Sequence, residues 1–421
     1  MTTGDPAAAA AELPSRPGGD EPSPETVSGY LRLWLQGVRS GELGSLPIVV
    51  GLIVIFVTFG LLNDTFLTER NFTNLLLQTA PIATMAIGIV FVLLIAEIDL
   101  SVAFVSAVGG VVMTLLLRPD DPGWPWWLAI GVALLITTAI GFVHGLVITK
   151  AGVPSFVVTL AGFLVWSGVV LILTTRASRV GTIRIQDQTV VGIANDFLSD
   201  VWGWIVGAAL VGVYALVQLR TALARRAAGL VSKPTLVIAL QIAGLAAVTF
   251  LGVWYANKDR GVPTVTLYLG IFLAFWSFVA TRTRFGRHVY AVGGNAEAAR
   301  RAGILVDRVR IQVFMISGFM AGMGGIFFAS RLRSVATSQG GGNLLLLVIA
   351  AAVIGGTSLF GGTGRVIAAL LGALVIGSIQ NGMDLLGLSS GEKFVITGLV
   401  LLGAVLVDAY AKRRRAAAGG V

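Results

Sequence analysis

The chain has no cysteine, two histidines and little charge: only 12% of its 421 residues are Asp, Glu, Lys or Arg. Without cysteine there is no disulfide, no thiol nucleophile and no thiolate metal site. His144 and His288 are too few and too far apart in sequence to suggest a metal cluster, and a lone histidine in an apolar segment is ordinarily a packed or hydrogen-bonded residue. None of the lysines follows a glycine, so no Gly-Lys-Ser/Thr loop can bring an ammonium group to nucleotide phosphates. The chain is therefore expected not to hydrolyse nucleotide and not to be an enzyme itself. No dinucleotide fingerprint is expected either, because no strands are read from the pattern.

What is abundant is apolar: 56% hydrophobic residues, 54 Gly and 9 Trp, against roughly a quarter charged residues in a typical soluble domain. This composition predicts an all-α polytopic membrane protein. A hydrocarbon core of about 30 Å takes roughly 20 helical residues to cross, fewer when the helix is buried against neighbours. Apolar stretches of such length lie near residues 46–62, 75–96, 100–117, 126–149, 153–175, 201–219, 234–255, 263–281, 309–330, 343–358, 364–382 and 393–410. They predict about twelve transmembrane helices, ten to twelve being compatible with the pattern, some of them short or broken.

A net charge of +9 and a pI near 10.3 would suit nucleic acid, but the basic residues gather in loops on alternate sides of the apolar stretches. With both termini in the cytoplasm, inward-facing Lys and Arg exceed outward-facing ones two to one, the positive-inside pattern of a membrane protein. Nucleic acid is thus not an expected partner; membrane lipid is. Tryptophans such as Trp124, Trp126, Trp127, Trp202 and Trp204 fall at span ends and read as interfacial belts.

This divides the chain into a transmembrane domain, 46–410, and two cytoplasmic tails. Residues 1–45 are rich in Ala, Pro, Gly, Ser and acids, which predicts a disordered tail, with a brief interfacial helix at Tyr30 to Val38. Its early acidic residues do not suit a signal peptide. Residues 411–421 form a short basic tail.

Within the domain, 282–310 is the largest cytoplasmic loop. Its centre, Gly294 to Gly303, has the marks of one short helix: Asn295 for the N-cap, Glu297 in the first turn, Arg300 and Arg301 in the last, and Gly303 for the left-handed position beyond the end. Alanines such as Ala298 supply its only apolar side chains. A helix of about seven residues is marginal alone, so a docking partner is expected to supply what it lacks.

Three other motifs interrupt the apolar runs. Glu97-Ile98-Asp99-Leu100-Ser101 places two carboxylates where ionised groups are costly unless paired, hydrated or in a cavity. One reading is a tight polar turn in which Asp99 caps the following helix with help from Ser101; the other is a broken helix lining a pathway, and one turn can do both. Pro154 opens a span that carries Ser155, Thr159 and Trp166; such hydroxyls usually bond their own helix, though a sugar site would want hydroxyls and an aromatic face. The stretch from Gly355 to Arg365 reads as a turn whose glycines permit close packing. Gln380, Asn381 and Asp384 close the next span and fit either helix-to-helix bonds or contact with solute.

Taken in order, the Glu97 to Val102 motif, Val153 to Leu160, the Gly286 to Gly303 loop, Gly355 to Arg365 and Ile379-Gln380-Asn381-Gly382 resemble the permeases of bacterial ABC sugar importers of the ribose, galactose and xylose group. The likeness covers about residues 70–410, and the additional spans near 201–255 look most like the xylose-type branch. Ala103 departs from it, since the family usually has Gly after Ser-Val, which bears on the tightness of packing there. The resemblance implies a multi-pass protein of the bacterial inner membrane that imports a monosaccharide, xylose or another pentose or hexose, by alternating access. It implies a homodimer of permeases, a separate ATPase subunit that holds ATP and Mg, an extracytoplasmic sugar-binding protein, and no cofactor on this chain. It assigns the coupling helix to Asn295, Glu297, Ala298, Arg300, Arg301 and Gly303. The pathway candidates are Glu97, Asp99, Ser101, Ser155, Thr159, Trp166, Gln380 and Asn381. The rival readings are an ABC permease for amino acids or nucleosides, and an ion-coupled secondary transporter using Glu97 and Asp99.

Overall fold

A computed structural model describes residues 26–39, 46–119 and 122–417. Its elements are α1 (Val27–Arg39), α2 (Leu46–Leu62), α3 (Glu69–Leu94), α4 (Val102–Leu116), α5 (Trp126–Ala151), α6 (Ser155–Ala177), β1 (Thr182–Arg184), α7 (Gln188–Asn195), α8 (Asp200–Ala227), α9 (Thr235–Asn257), α10 (Thr264–Arg282), α11 (Arg284–Gly294), α12 (Ala296–Arg301), α13 (Val306–Leu332), β2 (Ser334–Ala336), α14 (Leu344–Ile354), α15 (Ile367–Leu385) and α16 (Ser390–Ala417). Each of the twelve apolar stretches is a helix. Eight of the described helices are long and apolar enough to cross a membrane by themselves, while α2, α4 and α14 are apolar but shorter. At 1.5 Å per residue the 11-residue α14 reaches only about 16 Å, half a hydrocarbon core.

The expected helix at Tyr30 to Val38 is present within α1, while the rest of the expected disordered tail, residues 1–25 and 40–45, lies outside the described residues, as do 418–421. The expectation of no strands is corrected: β1 and β2 pair antiparallel, Ile183 opposite Val335. Three-residue strands carry no periodicity to read; β2 follows directly on Arg333, which ends α13 at φ +55° and whose carbonyl accepts from the Ile185 N–H at 2.9 Å.

Two antiparallel helices, α3 and α13, form the centre. From Leu75 on, the inner part of α3 is almost wholly enclosed by protein, which explains how it carries Thr79, Pro81 and Thr84 without facing lipid. Helix α13 packs on α3, α4 and α5, and small residues let the backbones meet. A Cβ at Gly318 would lie 2.2 Å from the Thr137 carbonyl oxygen, and one at Gly141 would lie 2.1 Å from that of Phe314. Gly318 and Gly322 make a Gly-x-x-x-Gly face of the kind that packs helices in membranes, where dispersion rather than hydrophobicity drives association. Helices α8 and α9 pack chiefly on one another and leave most of their surface open. They reach the centre through Tyr255, whose ring meets Phe72 at 5.5 Å and whose hydroxyl bonds the Leu67 carbonyl, and through Asp259, which accepts from Thr73 at 2.9 Å.

Because α3 and α13 run oppositely, the end of α3 at Leu94 and the start of α13 at Val306 share one face. The loop 282–310 and the glycine stretch 355–365 lie on that face as well, which sets the candidate site.

Candidate functional site

Helix α12 forms as its end signals require. The Asn295 carboxamide oxygen accepts from the Ala298 N–H at 2.9 Å, and Gly303 takes φ +84°. The Gly303 N–H donates to the Arg300 carbonyl and the Ile304 N–H to that of Ala299, each at 3.0 Å, the paired hydrogen bonds of a Schellman end. Glu297 reaches both Arg301 at 3.2 Å and Arg300 at 3.7 Å, so the charges on this helix are largely paired among themselves. Exposed pairs at this spacing add only a few tenths of a kcal/mol each. One expectation is amended: the helix does have a small face to bury, since Ala299 is enclosed where α12 rests on α11 and α13. Glu297, Ala298, Arg300 and Arg301 stay exposed.

Helix α11 ties this element to the interior. Thr283 caps it by accepting from the Gly286 N–H at 3.1 Å, and Val289 and Val292 turn inward. The Tyr290 hydroxyl donates to the Gly364 carbonyl at 2.9 Å. Burial pushes the Tyr290 phenol up, with the Arg365 guanidinium pulling the other way, so it remains a donor at physiological pH. At the end of α11, Gly293 lies directly on the carbonyl of Leu94, the last residue of α3, and that carbonyl accepts from the Gly362 N–H at 2.9 Å. Gly361, at φ +83°, packs against the Gly293 carbonyl and Ala96. Three backbones thus meet, and those of α11 and the 355–365 stretch are glycine at the contact.

The turn beyond Leu94 is the second half of the site. Ala96 takes φ +60°, so the chain leaves α3 abruptly and the helix is broken until Val102. Glu97 and Arg310 form an ion pair at 3.0 Å, both mostly shielded. The Ile98 N–H donates to the Ser155 hydroxyl and the Leu100 N–H to that of Thr159, each at 3.1 Å. Asp99 is 5% exposed. Its carboxylate accepts from the Ser101 N–H at 2.9 Å, the Ser101 hydroxyl at 2.6 Å and the Ser317 hydroxyl at 2.7 Å. One reading is corrected here: Asp99 does not cap α4, because its oxygens are taken by Ser101 and Ser317, and the N-cap Ser101 makes no side-chain cap bond.

The chain of polar contacts continues outward from Asp99. Ser101 Oγ lies 3.4 Å from His144 Nδ1, and Trp166 Nε1 donates to His144 Nε2 at 3.3 Å. An indole can only donate, so His144 Nε2 is the acceptor and its proton sits on Nδ1, facing Ser101. All donors in this row then point toward the Asp99 carboxylate. The hydrogen-bonded reading of His144 agrees with these contacts.

The family described as "Branched-chain amino acid transport system / permease component" matches residues 71–408. The chain belongs to this permease family. It is 38% identical over 382 residues to the xylose transport system permease protein XylH of Escherichia coli strain K12, covering 90% of this chain and 95% of that protein. Over 383 residues it is 33% identical to XylH of Haemophilus influenzae, covering 90% and 99%. It is 32% identical over 388 residues to the ribose import permease protein RbsC of Escherichia coli strain K12, covering 91% and 98%. No solved structure matches it. The resemblance drawn from the motifs is thereby supported: this is a multi-pass membrane permease akin to those of sugar ABC importers.

In this permease, Glu97, Asp99, Ser101, Ser155, Thr159 and Trp166 come together around the broken helix, whereas Gln380 and Asn381 do not. The carboxamides of Asn381 and Asn71 exchange two hydrogen bonds, at 2.7 and 2.9 Å, near the start of α3, about 35 Å along that helix from Leu94. Gln380 donates to Thr397 at 3.0 Å. Both join helices to each other. Replacing Asn71 by Ala leaves the enclosed Asn381 amide short of its partner and should cost about 1–3 kcal/mol; the unfolding midpoint of the purified permease reads this, and the double variant should recover part of the loss.

Ser317, Arg310, Tyr290 and Gly293 were not singled out from sequence. Ser317 and Gly293 sit in ordinary helical surroundings, and only the distant residues they meet distinguish them.

Proposed function

We propose that this permease is the membrane subunit of an ATP-driven importer of a monosaccharide, xylose or a related pentose or hexose, that works by alternating access. The observation that carries the reading is the capped, exposed α12 whose supporting helix is locked through Gly293 to the end of α3. A helix presented this way suits the groove of a cytoplasmic ATPase subunit, with small residues allowing close approach and charges setting its orientation. ATP and Mg belong to that partner, an extracytoplasmic sugar-binding protein delivers the substrate, and two copies of the permease form the pathway. In this reading the termini and the 282–310 loop are cytoplasmic, and all twelve apolar helices contribute to the membrane domain.

The shared neighbourhood of Ser155, Thr159, Trp166 and the broken helix supports a pathway lining. The ion-coupled alternative is less well supported, since Glu97 is paired with Arg310 and Asp99 already accepts three hydrogen bonds, which leaves neither poised to exchange a cation. The curated relatives favour sugar over amino acid or nucleoside cargo.

The reading is tested in proteoliposomes holding the permease with its ATPase and binding protein. ATP-dependent uptake of labelled xylose or ribose is expected; uptake by the permease alone, driven by an ion gradient, would overturn it. Within the same assay, Ala298→Trp, or Arg300→Glu with Arg301→Glu, should separate ATP hydrolysis from uptake while membrane insertion persists. Normal coupled uptake in both would remove α12 from the docking role.

A further inference from the structure

Between α10 on one side and α5 and α13 on the other runs an open cleft of about 490 Å³, walled by Phe272, Phe275, Trp276, Ile316 and Phe319. Its lower end continues into a second hollow of about 300 Å³, and the two share Phe285 and Gln312. The character changes along the way. The upper walls are almost entirely aromatic and aliphatic, while the lower hollow is flanked by His288 and Arg308.

Both walls change together because α10 ends, and α13 begins, at the basic face. On α13 the wall descends from Phe319 to Arg308, about 16 Å of helix, and on α10 from Phe272 to Arg282, about 15 Å. This is half of a hydrocarbon core of about 30 Å, the depth of one leaflet. Arg308 is exposed, and among the described residues no ion pair or hydrogen bond holds it. Its neighbour Asp307 lies about 100° further round the helix. Arg282, Arg284 and Arg287 sit on the same edge with no acidic partner among the described residues.

We propose that this cleft binds one anionic phospholipid, an acyl chain lying against Phe272, Phe275 and Phe319 and the phosphate at Arg308 and His288. The length fits a single leaflet, the walls fit hydrocarbon, and the charge at the mouth fits a phosphate. A basic residue near the membrane surface favours an anionic headgroup severalfold. The site is separate from the Glu97 turn, and its occupation does not depend on which solute is carried. Because α11 closes the bottom of the cleft through Phe285, a bound lipid would steady the helix that supports α12.

The test uses the purified full-length permease, titrated with phosphatidylglycerol or with phosphatidylcholine of the same chain length, and retained lipid counted by native mass spectrometry. Phosphatidylglycerol should be retained preferentially, and Arg308→Gln should lower that preference about fivefold. Thr138 lines the cleft from α5 and takes no part in the basic mouth, so Thr138→Phe should narrow the cleft and reduce retention of both lipids. Equal retention of the two lipids by the unmodified protein, or unchanged retention in both variants, would overturn the site. Complete displacement by inorganic phosphate alone would also overturn it, leaving an anion pocket without an acyl slot. Leu305 is an exposed residue lining the lower hollow; exclusion of lipid by the bound ATPase subunit with a cross-link at Leu305 would also overturn the site and make that hollow part of the protein interface instead.

Discussion

Gly293→Ala should reduce ATP-dependent uptake by at least about tenfold while the protein still inserts in the membrane. A Cβ at this position would lie 1.7 Å from the Leu94 carbonyl oxygen and 2.8 Å from the Gly362 nitrogen. Neither neighbour is a side chain that could swing away. The Leu94 carbonyl is held by the Gly362 N–H at 2.9 Å, and the glycine stretch is in turn held by Tyr290 through Gly364. A single methyl must therefore push α11 off the end of α3, and overpacking of this kind costs about 1–3 kcal/mol or more. The loss falls on the contact that joins α12 to the broken helix, so uptake should suffer more than fold. Gly294→Ala is the control, since a Cβ there meets nothing within 4 Å, and it should transport almost normally. Equal uptake by the two variants, measured per molecule in proteoliposomes, would show that this contact transmits nothing.

Asp99→Ala should be the most destabilising change in the site. It strands the Ser101 amide, the Ser101 hydroxyl and the Ser317 hydroxyl, all enclosed by protein. Each donor left unmatched costs about 1–3 kcal/mol, more where it served a charge. The unfolding midpoint in detergent should fall by several degrees, with loss of uptake beyond the loss of folded protein. Asp99→Asn keeps one acceptor oxygen and should lie between, and Ser317→Ala, which removes one donor, should be mild. Wild-type stability in Asp99→Ala would mean that the carboxylate is hydrated and does not organise the turn.

How far these residues could be read beforehand depended on how local their causes are. The α12 caps were legible because Asn295, Glu297, Arg300, Arg301 and Gly303 act within one short helix. The helices were legible because apolar length is itself the signal. Asp99 was visible as an anomaly, but its partner Ser317 lies 218 residues away, and a serine among glycines in a span has no signature. Asn381 was ambiguous for a related reason: an amide near a span end looks the same whether it meets solute or Asn71. The β1–β2 pair escaped notice because three residues are too few to show alternation. Gly293 was one glycine of 54, and only the Leu94 carbonyl above it sets it apart.

The enclosure of α3 by α13 also governs how the protein must be made. α3 is complete once Leu94 has emerged, yet α13 ends only at Leu332. At about 5–20 residues per second, some 10 to 50 s separate the two. During that interval Asn71, Glu97 and Asp99 are already in or beside the bilayer without Asn381, Arg310 and Ser317. The central helix pair is thus a late event of synthesis, and the young chain must be sheltered from lipid until its second half arrives. Truncation before Val306 should leave a product that the cell's membrane proteases clear quickly, and truncation after Leu332 a longer-lived one.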